Sequence, residues 1–98
     1  MNNDALLGML EEAAAKLGLN LSYENLHVGE VNTPGGLCEF RGERLMIVHK
    51  GFSVREKIEV ITDILSTLDT DGVHLSPGIR ERIEAARAKK SRRALESA

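Results

Sequence analysis

The residues able to hold a soft metal or act as a nucleophile are Cys38, His27, His49 and His74. No two of them share a C-x-x-C or H-x-x-x-H turn, so their spacing matches no zinc pattern. A reactive thiolate needs a nearby cation or a helix N-terminus, and the group able to serve Cys38 is His49, if a neighbouring strand carries it close. The alternative makes Cys38 a small core hydrophobe and leaves the histidines at strand ends or on the surface. Asp69-Thr70-Asp71-Gly72 begins like a calcium loop but lacks the Glu that should close one, which leaves a helix-ending turn. Gly35-Gly36 precedes a strand instead of linking a strand to a helix, so it cannot aim backbone amides at a phosphate. It reads as a turn needing positive φ. No catalytic residue, metal site or cofactor is assigned from these groups.

A second set of polar residues is electrostatic. The stretch from Gly78 to Ala98 carries seven Arg and Lys against three Glu, a local charge of +4 in a chain whose total is -2. Residues 1–77 therefore carry -6. Arg87, Lys89, Lys90, Arg92 and Arg93 form the candidate anion or partner contact, because phosphates or an acidic surface would meet them first. Against nucleic acid stand the acidic body, the interspersed Glu81 and Glu84, and the absence of aromatics beside the cluster. The competing reading is a solvated helical end.

The elements that must place these groups follow from hydrophobic spacing. A first helix is expected over Ala5–Leu17, capped by Asn3 or Asp4 and stopped by a left-handed Gly18. Leu6, Leu10, Ala13 and Leu17 make its buried face, and Glu12 pairs with Lys16 outside. Leu19, Leu21 and Tyr23 alternate as a short strand. The pattern dissolves from Glu24 to Gly36, where Thr33-Pro34-Gly35-Gly36 is a strong turn signal. Strands over Leu37–Arg41 and Arg44–His49 or Lys50 follow, joined by a tight hairpin at Gly42. The first should turn Cys38 and Phe40 to one side; the second, with Leu45 to Val48 continuously apolar, suits a strand covered on both faces.

Ser53 and Glu56 form a capping box that opens an apolar helix running to about Leu68. Val54, Ile58, Ile61, Leu65 and Leu68 fall on one face, widened by Val60 and Ile64. Ser76 before Pro77 opens the last helix. Ile79, Ile83 and Ala86 dock it, and beyond Arg87 the apolar stripe thins, so residues 88–98 are expected to project or fray. The whole chain reads as one α+β domain, residues 1–98, with a small, mainly antiparallel sheet of about three strands against N-terminal, central and C-terminal helices.

Ala15-Lys16-Leu17-Gly18-Leu19 before a first strand, Gly36-Leu37 and Gly42 around a hairpin, the strand Leu45 to His49 and the apolar helix after it form a pattern from the first helix to Leu68. That pattern resembles the N-terminal part of the ImmA/IrrE-type zincin-like metallopeptidases. The family's zinc helix carries H-E-x-x-H. Here Thr62-Asp63-Ile64-Leu65-Ser66 stands in its place, and hydroxyls are poor zinc ligands, so a catalytic zinc site cannot assemble. What the resemblance implies is a degenerate cleft at Thr62, Asp63 and Ser66 that retains ligand binding. The chain also resembles small bacterial proteins with a Gly35-Gly36-Leu37-Cys38 segment, which carries no function with it.

Composition closes off further classes. No run approaches the 20 or so apolar residues of a membrane span, and the N-terminus lacks the basic start of a signal peptide. A single cysteine, unable to form an internal disulfide, agrees with a reducing, cytoplasmic address. The expectation is a non-enzymatic domain working by protein contact, a homodimer with a second copy of itself being one form of it, because the apolar strand Leu45 to Val48 has an open neighbour and the core is small. Ligand binding in the degenerate cleft and weak nucleic-acid binding through the basic helix are the alternatives.

Overall fold

A computed structural model of the protein describes residues 2–25 and 35–97, with side chains as far as Arg92. His27, the Thr33-Pro34 half of the expected turn and the side chain of Arg93 lie outside the described residues. The element order is α1 (Asn3–Lys16), β1 (Leu19–Glu24), β2 (Gly35–Phe40), β3 (Glu43–His49), α2 (Val54–Leu65) and α3 (Pro77–Ser97). This is the expected α+β arrangement of three helices and three strands.

Local chemistry sets most boundaries. The cap of α1 is Asn2, one residue before the two expected, because its Oδ1 accepts from the Ala5 amide at 2.7 Å. Gly18 ends the helix at φ 81°, a conformation glycine adopts without a Cβ penalty. The Glu12–Lys16 ion pair forms on its exposed side. Ser53 caps α2 reciprocally: its hydroxyl accepts from the Glu56 amide at 3.2 Å, and the Glu56 carboxylate accepts from the Ser53 amide at 3.1 Å. That helix closes at Leu65, short of the expected Leu68, and the chain turns through Ser66 to Leu68. Asp71 N donates to Asp69 Oδ1 at 2.9 Å, so the Asp-rich segment is an Asx turn. The backbone of α3 remains helical to Ser97, and the tail expected to fray is still held at Lys90, whose Nζ donates to the Asp63 carbonyl at 2.8 Å.

The sheet has the order β1-β3-β2, with β1 parallel to β3 and β2 antiparallel to it. It is therefore mixed: one of its two pairings is parallel, where a mainly antiparallel sheet was expected. Arg41 and Gly42 make the β2–β3 turn at φ 53° and 81°, two left-handed residues as a type I′ hairpin requires. Gly35 and Gly36 lie inside β2, and Gly36 is not among the positive-φ residues. They are strand residues, since pairing with Val48 and Ile47 extends the ladder through them.

Met46 and Val48 of β3, fully buried, meet Leu10, Ala13 and Ala14 of α1 and Ile58, Ile61 and Leu65 of α2. Ile79 and Ile83 bring α3 onto the same core from behind α2. Leu45 and Ile47 point to the opposite face and are only half-buried. The continuous apolar run of β3 thus has one face under helices, whereas the other has no described helix across it. On the covered side, the Tyr23 hydroxyl donates to Glu11 Oε2 at 2.6 Å, and Lys57 Nζ lies 4.8 Å from the Tyr23 ring centroid. Burial first, then the Glu11 hydrogen bond and charge, hold the Tyr23 hydroxyl pKa well above its ordinary range.

Candidate functional site

Helix α2 places Thr62 and Asp63 on the wall of a groove of about 470 Å³, whose opposite wall is Arg82, Lys89 and Lys90 of α3 and whose floor includes Ala85 and Ala86. Two sequence signals twenty-seven residues apart, Asp63 and Lys90, meet here. The small alanines let the two helices leave this space between them. The hydroxyls, however, are committed to their own helix. Thr62 Oγ1 donates to the Ile58 carbonyl at 2.7 Å, as a buried mid-helix Thr commonly does, and Ser66 Oγ, at the C-cap, donates to the Asp63 carbonyl at 2.6 Å. Thr62 is 7% exposed and Ser66 4%, and Ser66 does not line the groove. Glu59 and Asp63 face Arg82, Lys89 and Lys90 across it, so the groove has both signs of charge and suits a zwitterion better than a polyanion.

Arg87 behaves differently from its basic neighbours. Its Nε donates to the Ser66 carbonyl at 3.2 Å and its Nη2 to the Leu68 carbonyl at 2.8 Å, while Nη1 bonds Glu84. One heptad earlier, Arg80 Nη2 donates to the carbonyls of Thr70 and Val73 at 3.2 and 2.7 Å. Two arginines on one face of α3 therefore donate to carbonyls where α2 ends and the loop begins, that of Thr70 also accepting from the Val73 amide. The multiple donors of guanidinium suit this role, which a lysine point charge does not match. Of the expected contact set, Lys89 and Lys90 line the groove, Arg92 is exposed, and Arg87 is a strap across the α2–α3 connection.

Cys38 and His49 are not brought together. Cys38 pairs with Leu45, and His49 lies four residues further along β3, roughly 14 Å away at strand rise. Cys38 is exposed on the sheet surface, so it is not a core residue. His49 is 8% exposed, with Nδ1 3.4 Å from the Glu24 carbonyl and its ring edge-on to Phe52 at 5.1 Å. A Cβ on Gly51 would come within 2.8 Å of His49 Nε2, so the bare glycine makes room for the imidazole. His74 is exposed, and its carbonyl accepts from Lys16 Nζ at 3.3 Å. Among the described residues no three His, Cys, Asp or Glu side chains gather as a metal site, and no helix is long and apolar enough to cross a membrane.

The remaining feature is the edge of the sheet. Among the described residues β2 pairs along one side only, with β3, and it carries two exposed large apolar residues, Leu37 at 37% and Phe40 at 58%. Strand pairing puts Gly36, Cys38 and Phe40 on the face of Leu45 and Ile47, while Leu37 shares the helix-covered face with Met46. Arg41 stacks over the Phe40 ring at 5.1 Å. The open neighbour expected beside Leu45 to Val48 is not there, because β3 is the central strand, paired with β1 on one side and β2 on the other, which moves the open edge among the described strands to β2. Comparison of the chain with protein-family models, with curated proteins and with solved structures returns no match.

Proposed function

We propose that this chain is a non-catalytic, cytoplasmic protein-interaction domain that binds polypeptide along the free edge of β2 and the open sheet face beside it. The observation that supports this reading is the exposure of Leu37 and Phe40 on a strand whose second edge has no partner among the described elements. An unpaired edge is a template for another strand, and Gly35–Phe40 carries no Lys, Pro or bulge to block it, Glu39 being its one charged residue. The test is a photo-crosslinking phenylalanine analogue at position 40 of the full chain in cells. A protein adduct is expected there, reduced by Leu37→Asp, with none from the same analogue at exposed Glu59 on α2. No adduct at position 40 above the position-59 control overturns the reading.

A second reading, ligand binding in a metallopeptidase-derived cleft, is favoured by the groove beside Thr62 and Asp63. Its mixed charge suits peptide termini. Dipeptides titrated to millimolar concentration should shift the amide resonances of Asp63, Lys89 and Lys90, and unchanged spectra would remove this alternative. Nucleic-acid binding has less support, since Arg87 is committed to carbonyls and Glu59 and Asp63 face the lysines.

A further inference from the structure

We infer that the strand accepted by β2 is β2 of a second copy of this chain, paired antiparallel about a two-fold axis passing beside Leu37. The inference rests on the reading of β2 as the contact edge and names its occupant. Backbone direction decides which groups are free to pair. Lys50 N donates to the Glu24 carbonyl at 2.9 Å, so the even-numbered residues at this end of β3 direct their N–H toward β1 and the odd-numbered ones face β2. The two-residue turn at Arg41-Gly42 makes Phe40 and Glu43 a hydrogen-bonded pair. By alternation Gly36, Cys38 and Phe40 bond to β3, while Gly35, Leu37 and Glu39 direct their N–H and C=O groups outward.

Symmetry then limits the register. An axis relating two antiparallel edge strands stands perpendicular to the sheet and maps each face onto itself, so facing residues are both odd-numbered or both even-numbered. Axes beside Leu37 or Cys38 keep five residues of each strand paired; axes beside Gly36 or Glu39 keep three. The Glu39 axis also sets two carboxylates directly opposite, which is repulsive. With the axis beside Cys38, Gly35 faces Arg41, a left-handed turn residue at φ 53°, and its outward groups stay unpaired. The two Glu39 side chains then become diagonal neighbours roughly 7–8 Å apart.

With the axis beside Leu37, Leu37 faces its own copy, Gly35 faces Glu39 of the copy and Glu39 faces its Gly35. Every outward N–H and C=O of Gly35, Leu37 and Glu39 is then bonded, and the two Glu39 residues lie roughly 14 Å apart. Cys38 comes to rest over Gly36 of the copy, where an added Cβ would meet nothing within 4 Å. Leu37 loses its exposed flank against an identical leucine. Charge separation and backbone satisfaction thus select the same axis.

The paired strip is roughly 20 Å long and removes on the order of 600 Å² from water over both copies, about half of what a stable dimer interface buries. The dimer is accordingly weak, with a dissociation constant on the order of 100 µM. Sedimentation equilibrium of the full chain from about 10 µM to 1 mM should show monomer passing into dimer. Leu37→Lys should remain monomeric with its far-UV circular dichroism unchanged.

Disulfide trapping locates the axis. Leu37→Cys in a Cys38→Ser background brings two Cα atoms to about 5.5 Å, within disulfide reach, and should oxidise to a covalent dimer at least tenfold faster than Glu39→Cys in the same background. The native Cys38, diagonal to its copy at roughly 7–8 Å, should be slow as well. A chain that stays monomeric at 1 mM overturns the second copy as occupant, while an adduct from position 40 in cells would still uphold a foreign strand there. A dimer trapped fastest at Cys38 or at position 39 overturns this axis.

Discussion

Removing the Arg87 side chain separates a structural arginine from a surface for anions. Arg87→Ala deletes two charge-assisted hydrogen bonds to the Ser66 and Leu68 carbonyls, 3.2 and 2.8 Å long. Such bonds contribute about 1.5–3 kcal/mol each when buried. The Arg87 side chain is 35% exposed, and the freed carbonyls would recover water, so each bond is reduced to about 1 kcal/mol and the pair to about 2 kcal/mol. The Glu84 contact, with that carboxyl side chain 48% exposed, adds little. In a domain near 100 residues, about 2 kcal/mol lowers the melting temperature by roughly 8–16 °C. Urea unfolding followed by circular dichroism measures the free energy directly, and the midpoint should fall without a change in slope. Arg87→Lys, which keeps the charge but loses the planar set of donors, should lose about half as much. Lys89→Ala should stay within about 0.5 kcal/mol of the parent, as exposed substitutions do. Because the acceptors are carbonyls and not a screened surface charge, the Arg87 effect should persist in 1 M NaCl. Equal stability of Arg87→Ala and the parent, or a difference that salt abolishes, would show that the strap is not what holds α3 to the end of α2.

Other perturbations test the positioning elements. Tyr23 is the one tyrosine in a chain without tryptophan, so absorbance at 295 nm reports its ionisation alone. Its hydroxyl is raised in the fold by burial and Glu11, so stability is fully present below the unfolded value of about 10 and falls as pH rises above it; phenolate should appear together with loss of helix, and ordinary titration near pH 10 with intact helices contradicts this. Ser53→Ala should cost about 1 kcal/mol in urea unfolding. Since the Ser53 backbone and side chain lower the Glu56 pKa, the contribution is present above the unfolded carboxylate pKa and lost as pH falls through the folded one, so the variant should show a shallower acid limb. Gly51→Ala forces its Cβ against His49 Nε2 and should cost about 1–3 kcal/mol with a shifted His49 ring resonance; an unshifted ring and melting point would show that the imidazole has room.

The start of α2 and the stop of α1 were legible because their determinants are local, whereas the α1 cap and the end of α2 differ from the expected residues. Ser53 and Glu56 are three residues apart and close the cap by themselves; Gly18 stops α1 because a left-handed residue is needed directly after it. The hairpin was legible in the same way, although its two-residue turn takes Arg41 as well as Gly42 into the left-handed region. The inward face of β2 and β3 was not: Leu37, not Cys38 or Phe40, shares the helix-covered face with Met46, and β3, expected to be covered on both faces, buries Met46 and Val48 while Leu45 and Ile47 stay half-buried. Nor was the parallel pairing of β1, since Leu19, Leu21 and Tyr23 alternate equally well in either direction, and the connection to β2 falls at residues 26–34, outside the described part of the chain.

The same division holds for the candidate site. By itself the sequence determined the absence of any H-E-x-x-H from the chain, the apolar face of α2 and the basic character of α3, each written in residue type and spacing. Only the tertiary structure decided that Asp63 and Lys90 share a groove, that Arg87 serves carbonyls, and that Leu37 and Phe40 lie on an edge unpaired among the described residues. Those outcomes depend on contacts between segments distant in the chain, and their geometry is set by how the helices stack on one sheet face, a quantity that no local pattern encodes.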